Sequence, residues 1–288
     1  MPVNPIDAGA ANERALHDAL MARMRGIRRI AERDIADAVR TGRYGGITQG
    51  EAWGAGLDRA TAAAHRAEIA LLRRGWLQGV KESGAKELRA EADAFAERWA
   101  GQRTASFLAG FEQRTRDNVA REIRNAGARF HRSPNPTAAQ RAAERIRTHL
   151  GLTRAQARRL EAYQREAAKA ELAQRAIDRE VARRALAGME SRARMEAEFE
   201  AVEAVNFARA AAWAEARRRG LVGKLEKRWQ DMGDSRVRAH HAAQTNEGWI
   251  PWSAPYTHVG GVQHPPAPEP GCRCWQIFRE VKRGEAAA

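Results

Sequence analysis

The chain has 288 residues and a formal net charge of +14. That length allows one to two domains with a real core. With 43% apolar residues but only 6% aromatics, the core is expected to consist of helices packed over thin, Ala-rich seams. Two classes are excluded. No stretch approaches the roughly 20 apolar residues that span a bilayer, and two cysteines one residue apart cannot build a secreted disulfide framework.

Residues 221–288 hold nine Lys/Arg against seven Asp/Glu, so nearly all of the positive surplus lies before them. Such a surplus suits partners with negative surfaces. Lys is scarce while Arg and Ala are abundant, a bias that also fits Arg residues on solvated helix faces. The composition leaves both readings open.

In chain order, residues 1–12 read as a flexible arm, without the basic start and apolar run of a secretory signal. A helix follows from Glu13 to Arg40, with Leu16, Leu20, Met24, Ile27, Ala31 and Ile35 at helical spacing. Thr41-Gly42 and Gly45-Gly46 end it. Thr48-Gln-Gly-Glu51 is a capping box, opening a second helix whose face carries His65, Ile69, Leu72, Trp76 and Val80. His65 is expected to be a core side chain. Residues 83–130 read as helix, anchored by Phe95, Trp99, Phe107, Leu108 and Phe111, with breaks or kinks at Gly84 and Gly101. Arg132-Ser-Pro-Asn-Pro136 is the clearest linker.

Two more capping boxes follow, Thr137-Ala-Ala-Gln140 and Thr153-Arg-Ala-Gln156. A short helix between them ends at Leu150, with Gly151 as its stop. From Thr153 a single helical pattern runs to Arg219, closed by Gly220, with a possible break at Gly188. Met195, Phe199, Val202, Val205, Ala208 and Ala212 form a stripe near its end. After Gly220 the prolines exclude a long helix, and Trp249–Ser253 and Trp275–Phe278 read as short strands.

The chain is therefore expected to be mainly α, a long helical body with a small irregular α+β C-terminal module. Its regions are 1–12 arm, 13–132 N-terminal helices, 133–220 long helix, 221–281 module and 282–288 disordered tail.

Chemistry concentrates in the module. Both cysteines sit in Cys272-Arg-Cys274, and four of the eight histidines lie between 240 and 264. Thiolates and imidazoles are the ligands of tetrahedral zinc, which can hold together a small domain short of core. Cys272, Cys274 and His241 would supply three ligands. His240, His258, His264 or Glu269 would supply the fourth, with His264 preferred. The same residues also fit a pair of buried thiols with histidines packed on Trp. Asp234-x-Arg236-x-Arg238-x-x-His241 admits an enzyme reading, with His241 as general base oriented by Asp234 and Arg238 as an anion clamp. Its structural counterpart has Asp234 capping a helix over 234–241. No glycine-rich phosphate loop or nucleophile elbow accompanies it, so no catalytic activity is expected. Trp229, Trp249, Trp252, Tyr256 and Trp275 read as the module's core, the alternative being a stacking platform for nucleic acid.

These residues resemble the phage head morphogenesis family, the minor head proteins similar to phage Mu protein F. Its C-terminal pattern is matched by Trp229, Asp234, Arg236-Val-Arg238, His241 and Cys272-Arg273-Cys274. Gly151-Leu-Thr-Arg-Ala-Gln156, Leu160 and Tyr163 resemble the family's early helix start. Glu200, Asn206 and Trp213 resemble the helix before its terminal module. Many members place His-Pro-Asn before the Cys-Arg-Cys, where this chain has Glu269-Pro-Gly.

The resemblance covers about residues 137–280. It implies a minor structural protein of a tailed phage or prophage, associated with portal and procapsid during head assembly or DNA delivery. Assembly would take place in the bacterial host cytoplasm, and contact with packaged DNA is conceivable. The rival readings are a basic helical DNA-binding component of the virion and a metal-dependent nuclease centred on Asp234 and His241.

Overall fold

The computed structural model describes residues 10–41, 58–132, 144, 148–235, 237–263 and 272–281. Helices dominate: α1 Ala10–Thr41, α2 Asp58–Ser83, α3 Ala92–Arg132, α4 Arg154–Lys169, α5 Gln174–Arg218 and the short α6 Ala239–Glu247. A 3-10 turn over Lys86–Glu91 precedes α3. Strands β1 Leu225–Gln230, β2 Trp249–Pro251 and β3 Trp275–Glu280 make one antiparallel sheet in the order β2-β1-β3. The fold is mainly α with a small mixed C-terminal module. No described helix is long and apolar enough to cross a membrane. The arm over residues 1–9, the glycines and capping box of 42–51, the Pro linker, the Thr137 capping box and the tail from Lys282 lie outside the described residues.

Several helix ends follow the local chemistry. Thr153 caps α4 reciprocally: Gln156 N donates to its Oγ1 at 3.3 Å, and Thr153 N donates to Gln156 Oε1 at 2.9 Å. Gly84, Gly151 and Gly220 all take positive φ, the conformation that ends a helix at least cost. The single helix expected from Thr153 to Arg219 is instead two. The chain turns through Ala170–Ala173, with Glu171 at φ 53°. Leu172 N and Glu171 N donate back to Ala167 O and Ala168 O at 3.2 Å each, so the last carbonyls of α4 are satisfied without a glycine. Gly101 and Gly188 do not break their helices. A Cβ on Gly188 would lie 2.7 Å from Leu152 Cδ2, so that glycine serves close packing.

The chain forms two compact units, each built from separated segments. One contains His17–Ala62 and Ser106–Arg194. Leu20, Met24 and Ile27 of α1, Leu108 and Phe111 of α3, Leu160 of α4 and Ile177, Val181, Ala185 and Met189 of α5 fill its core. Buried arginines staple it. Arg23 Nε donates to Glu112 Oε1 at 2.6 Å, and Arg23 Nη1 to Thr61 Oγ1 at 3.1 Å. Arg192 lies 4.5 Å over the Phe111 ring and donates to Gly151 O at 3.1 Å.

The other unit contains Ala63–Ala105 and Met195–Ala288. Here α2 and the C-terminal half of α5 approach almost backbone to backbone. A Cβ on Gly75 would lie 2.5 Å from Val205 O, and one on Gly79 would lie 2.8 Å from Ala212 Cβ and Arg209 O. The Met195–Ala212 stripe is internal: Val202, Val205, Ala208 and Ala212 are buried, and Phe199 packs against the core of the module. Phe95 stacks with Phe207 at 6.0 Å and lies 4.4 Å from Trp76, whose Nε1 donates to Leu88 O at 2.9 Å.

A buried ionic group joins α2, α3 and α5. Arg103 Nε donates to Glu68 Oε1 and Nη2 to Glu200 Oε1, each at 2.7 Å, and Glu203 lies 3.6 Å away. Burial, followed by the charge of Glu68, pushes Glu200 up to about 8. Burial also raises Glu68, whose carboxyl is hydrogen-bonded to that of Glu200. Burial works against the charge on Arg103, but Glu200, Glu68 and Glu203 outweigh it. Two buried carboxyls facing one guanidinium thus share a proton near neutral pH.

Two predictions follow from this unit. Gly75→Ala gains about 1 kcal/mol of helix propensity but forces overpacking against backbone, which costs about 1–3 kcal/mol. Denaturant unfolding should show net destabilisation, and a gain in stability would contradict the close approach. In the second, the folded state keeps a proton at Glu200 that the unfolded chain releases near 4.5. That stabilisation is complete below 4.5 and lost as pH rises to about 8. Glu200→Gln should flatten stability across this window in thermal melts; an unchanged profile would show that Glu200 carries no such proton.

Candidate metal centre

β1 is the middle strand of the sheet and directs Leu225, Lys227 and Trp229 to one face, because strand side chains alternate. Trp229 and Tyr256 are fully buried, with ring centroids 5.1 Å apart at 74°. Ile250, Val259, Cys272 and Cys274 complete this core. Trp275 is buried too, whereas Trp249 and Trp252 are half-buried. Trp249 lies under Arg279 and Trp252 against Phe278. The aromatic cluster is thus mostly core.

Two segments bring the chemistry to this core. Helix α6 buries His241 in its first turn, with His241 N bonded to Arg238 O at 3.0 Å. The helix starts at Ala239, so the expected helix over Asp234–His241 is instead a turn leading into α6. The second segment is the approach to β3. Cys272 and Cys274 are buried and Arg273 between them is partly exposed, so one extended lead-in supplies two sulfurs on the same side.

The three groups meet. His241 Nδ1 lies 3.3 Å from Cys274 Sγ and 3.8 Å from Cys272 Sγ, and all three ligand atoms lie within 4.8 Å of one another. Tetrahedral zinc with Zn–S of about 2.3 Å and Zn–N of about 2.05 Å places sulfur and nitrogen about 3.6 Å apart. The observed separations straddle that value, so this buried cluster could hold a metal ion. The Trp229 ring stands edge-on to the His241 imidazole at 5.8 Å, and the Trp229 indole N–H favours the Cys274 thiolate. The hydrogen bond from Cys272 is the largest cause raising the Cys274 thiol, followed by burial.

Among the described residues the cluster is His241, Cys272 and Cys274. His240 packs its ring 4.5 Å from that of His241, and exposed His258 donates only its backbone N to Gln244 Oε1, at 2.9 Å; neither joins the cluster. His264, Glu269 and Arg236 lie outside the described residues. Arg238 is the N-cap residue of α6. Asp234 Oδ2 accepts from Arg273 Nη2 at 2.6 Å.

Three contributors were missed in the sequence. Asn206 of α5 donates from Nδ2 to Cys274 O at 3.1 Å. Asp231 is buried, accepts Gly233 N at 2.8 Å and lies close enough to raise the Cys274 thiol further. Lys227 is wholly buried beneath Tyr256 and donates to Gln263 O at 2.8 Å, with burial pushing its amine down to about 8. Only Asn206 carried a signal, as a residue of the resembling helix.

The chain matches no family model, no curated protein and no solved structure.

Proposed function

We propose that this chain is a minor structural protein of a tailed-phage head, acting with the portal and procapsid during head assembly and DNA delivery, and that zinc pins its C-terminal module. One observation carries the reading. Trp229, Asp234, His241, Cys272, Arg273 and Cys274 are widely separated in sequence, yet they form one buried cluster with its supporting ion pair. They are also the described residues of the resembling motif. A motif whose members build a single internal centre is that of a folding module, which supports an assembly role over catalysis.

Zinc is the metal that suits two thiolates and an imidazole in a buried site. His264, ahead of Glu269, is the proposed fourth ligand. It directly follows Gln263, which Lys227 holds. Protein purified without chelator should contain about one zinc per chain, as the four-ligand geometry requires. The Cys272→Ala/Cys274→Ala variant should contain none. Equal zinc in both proteins would remove the site.

Phe199 is internal, so a partner must use another surface. Leu186 is exposed on α5, beside exposed Arg183, which also pairs with Glu180. An apolar contact ringed by Arg–carboxylate pairs suits a protein partner. Pull-down of the cognate portal should survive moderate salt and be weakened by Leu186→Asp, with far-UV circular dichroism unchanged. DNA retention that vanishes with salt, with no portal association, would assign the protein to packaged DNA instead.

A further inference from the structure

The two segments that bear the ligands are joined by an ion pair beside the cluster. Arg273 separates the two cysteines, and its Nη2 donates to Asp234 Oδ2 at 2.6 Å. Asp234 belongs to the turn that leads into α6 and so to His241. The pair therefore links the histidine segment to the cysteine segment, the same two segments that a bound ion would join. On its other side the cysteine segment is held by Asn206, through the Cys274 carbonyl, so it is gripped from two directions.

Magnitudes separate two roles for this pair. The side chains of Arg273 and Asp234 remain 19% and 34% exposed, and a pair of that exposure contributes roughly 0–1 kcal/mol to folding. Groups that orient metal ligands act differently: their loss lowers metal affinity about 10–100-fold. A pair that holds the His241–sulfur separations would thus matter far more to metal binding than to stability.

We propose that Asp234 is a positioning residue of the metal centre, fixing the His241 segment against the Cys272–Cys274 segment through Arg273. The inference rests on the metal reading above. It assigns the Asp of the motif to ligand geometry, and it assigns the Arg of Cys-Arg-Cys to the same task. The pair sets the mouth of the site before the ion arrives, so less ordering remains to be done on binding.

The test is Co²⁺ titration of the full chain after chelator stripping, followed through the thiolate-to-cobalt charge-transfer and visible d–d bands, with Zn²⁺ competition for affinity. Asp234→Ala and Arg273→Ala should each weaken binding about 10–100-fold and shift the d–d bands. The metal-free melting temperature should stay close to that of the parent. The double variant should be no weaker than either single one, because both remove the same pair. The exchanged variant Asp234→Arg/Arg273→Asp should recover part of the lost affinity. Parental affinity in Asp234→Ala, or strictly additive losses, would overturn the proposal. So would a metal-free Asp234→Ala chain that fails to fold, which would make the pair structural. A folded parent chain without the cobalt bands would instead strike the metal reading itself, so the two failures are told apart.

Discussion

Asn206 and Arg209 lie one turn apart on α5 and donate to the carbonyls of Cys274 and Gln276. β3 is an edge strand, and its outward backbone groups need partners once a helix covers them. α5 supplies those partners from its side chains, and Gln276 Nε2 returns a bond to Asn206 O at 3.4 Å. This docking fixes where Cys274 enters the module core, and through it where a metal ion could sit. Arg209 extends the linkage by taking both oxygens of Glu82 on α2 at 2.9 Å. The helical scaffold and the small sheet are therefore joined by a few fully used polar groups more than by apolar area.

The same economy runs through the helices. Alanine brings backbones close but buries little surface per residue, so seams such as Gly75–Gly79 against Ala208–Ala212 gain stability from proximity. Arginine fills the volume that alanine leaves. Arg23, Arg192 and Arg209 are buried, and each is satisfied by acids, carbonyls or an aromatic face. Part of the positive surplus is thus internal bracing. The charge of the chain overstates how much of its arginine is offered to a partner.

Features governed by local rules were legible in the sequence. The Thr153 capping box, the stops at Gly151 and Gly220 and the strands at Trp249 and Trp275 needed no tertiary information. Clustering of Cys and His in one short region located the candidate centre. Tertiary context decided the rest. β1 reads Leu-Glu-Lys-Arg-Trp-Gln, a charged stretch that becomes a central strand because Glu226 pairs with Arg279 across the sheet and Lys227 finds Gln263. The α4–α5 turn contains neither Gly nor Pro, so propensity alone joined the two helices. Gly188 looked like a breaker because the side chain it makes room for, Leu152, is distant in sequence. Asp234 read as a helix cap, whereas it serves Arg273.

The central claim is that His241, Cys272 and Cys274 bind zinc together. Zinc-edge X-ray absorption of the purified full chain measures this coordination directly. The account predicts two sulfur neighbours at about 2.3 Å and nitrogen or oxygen neighbours at about 2.0–2.2 Å. A shell of nitrogen and oxygen without sulfur, or a chain that carries no zinc, would contradict it.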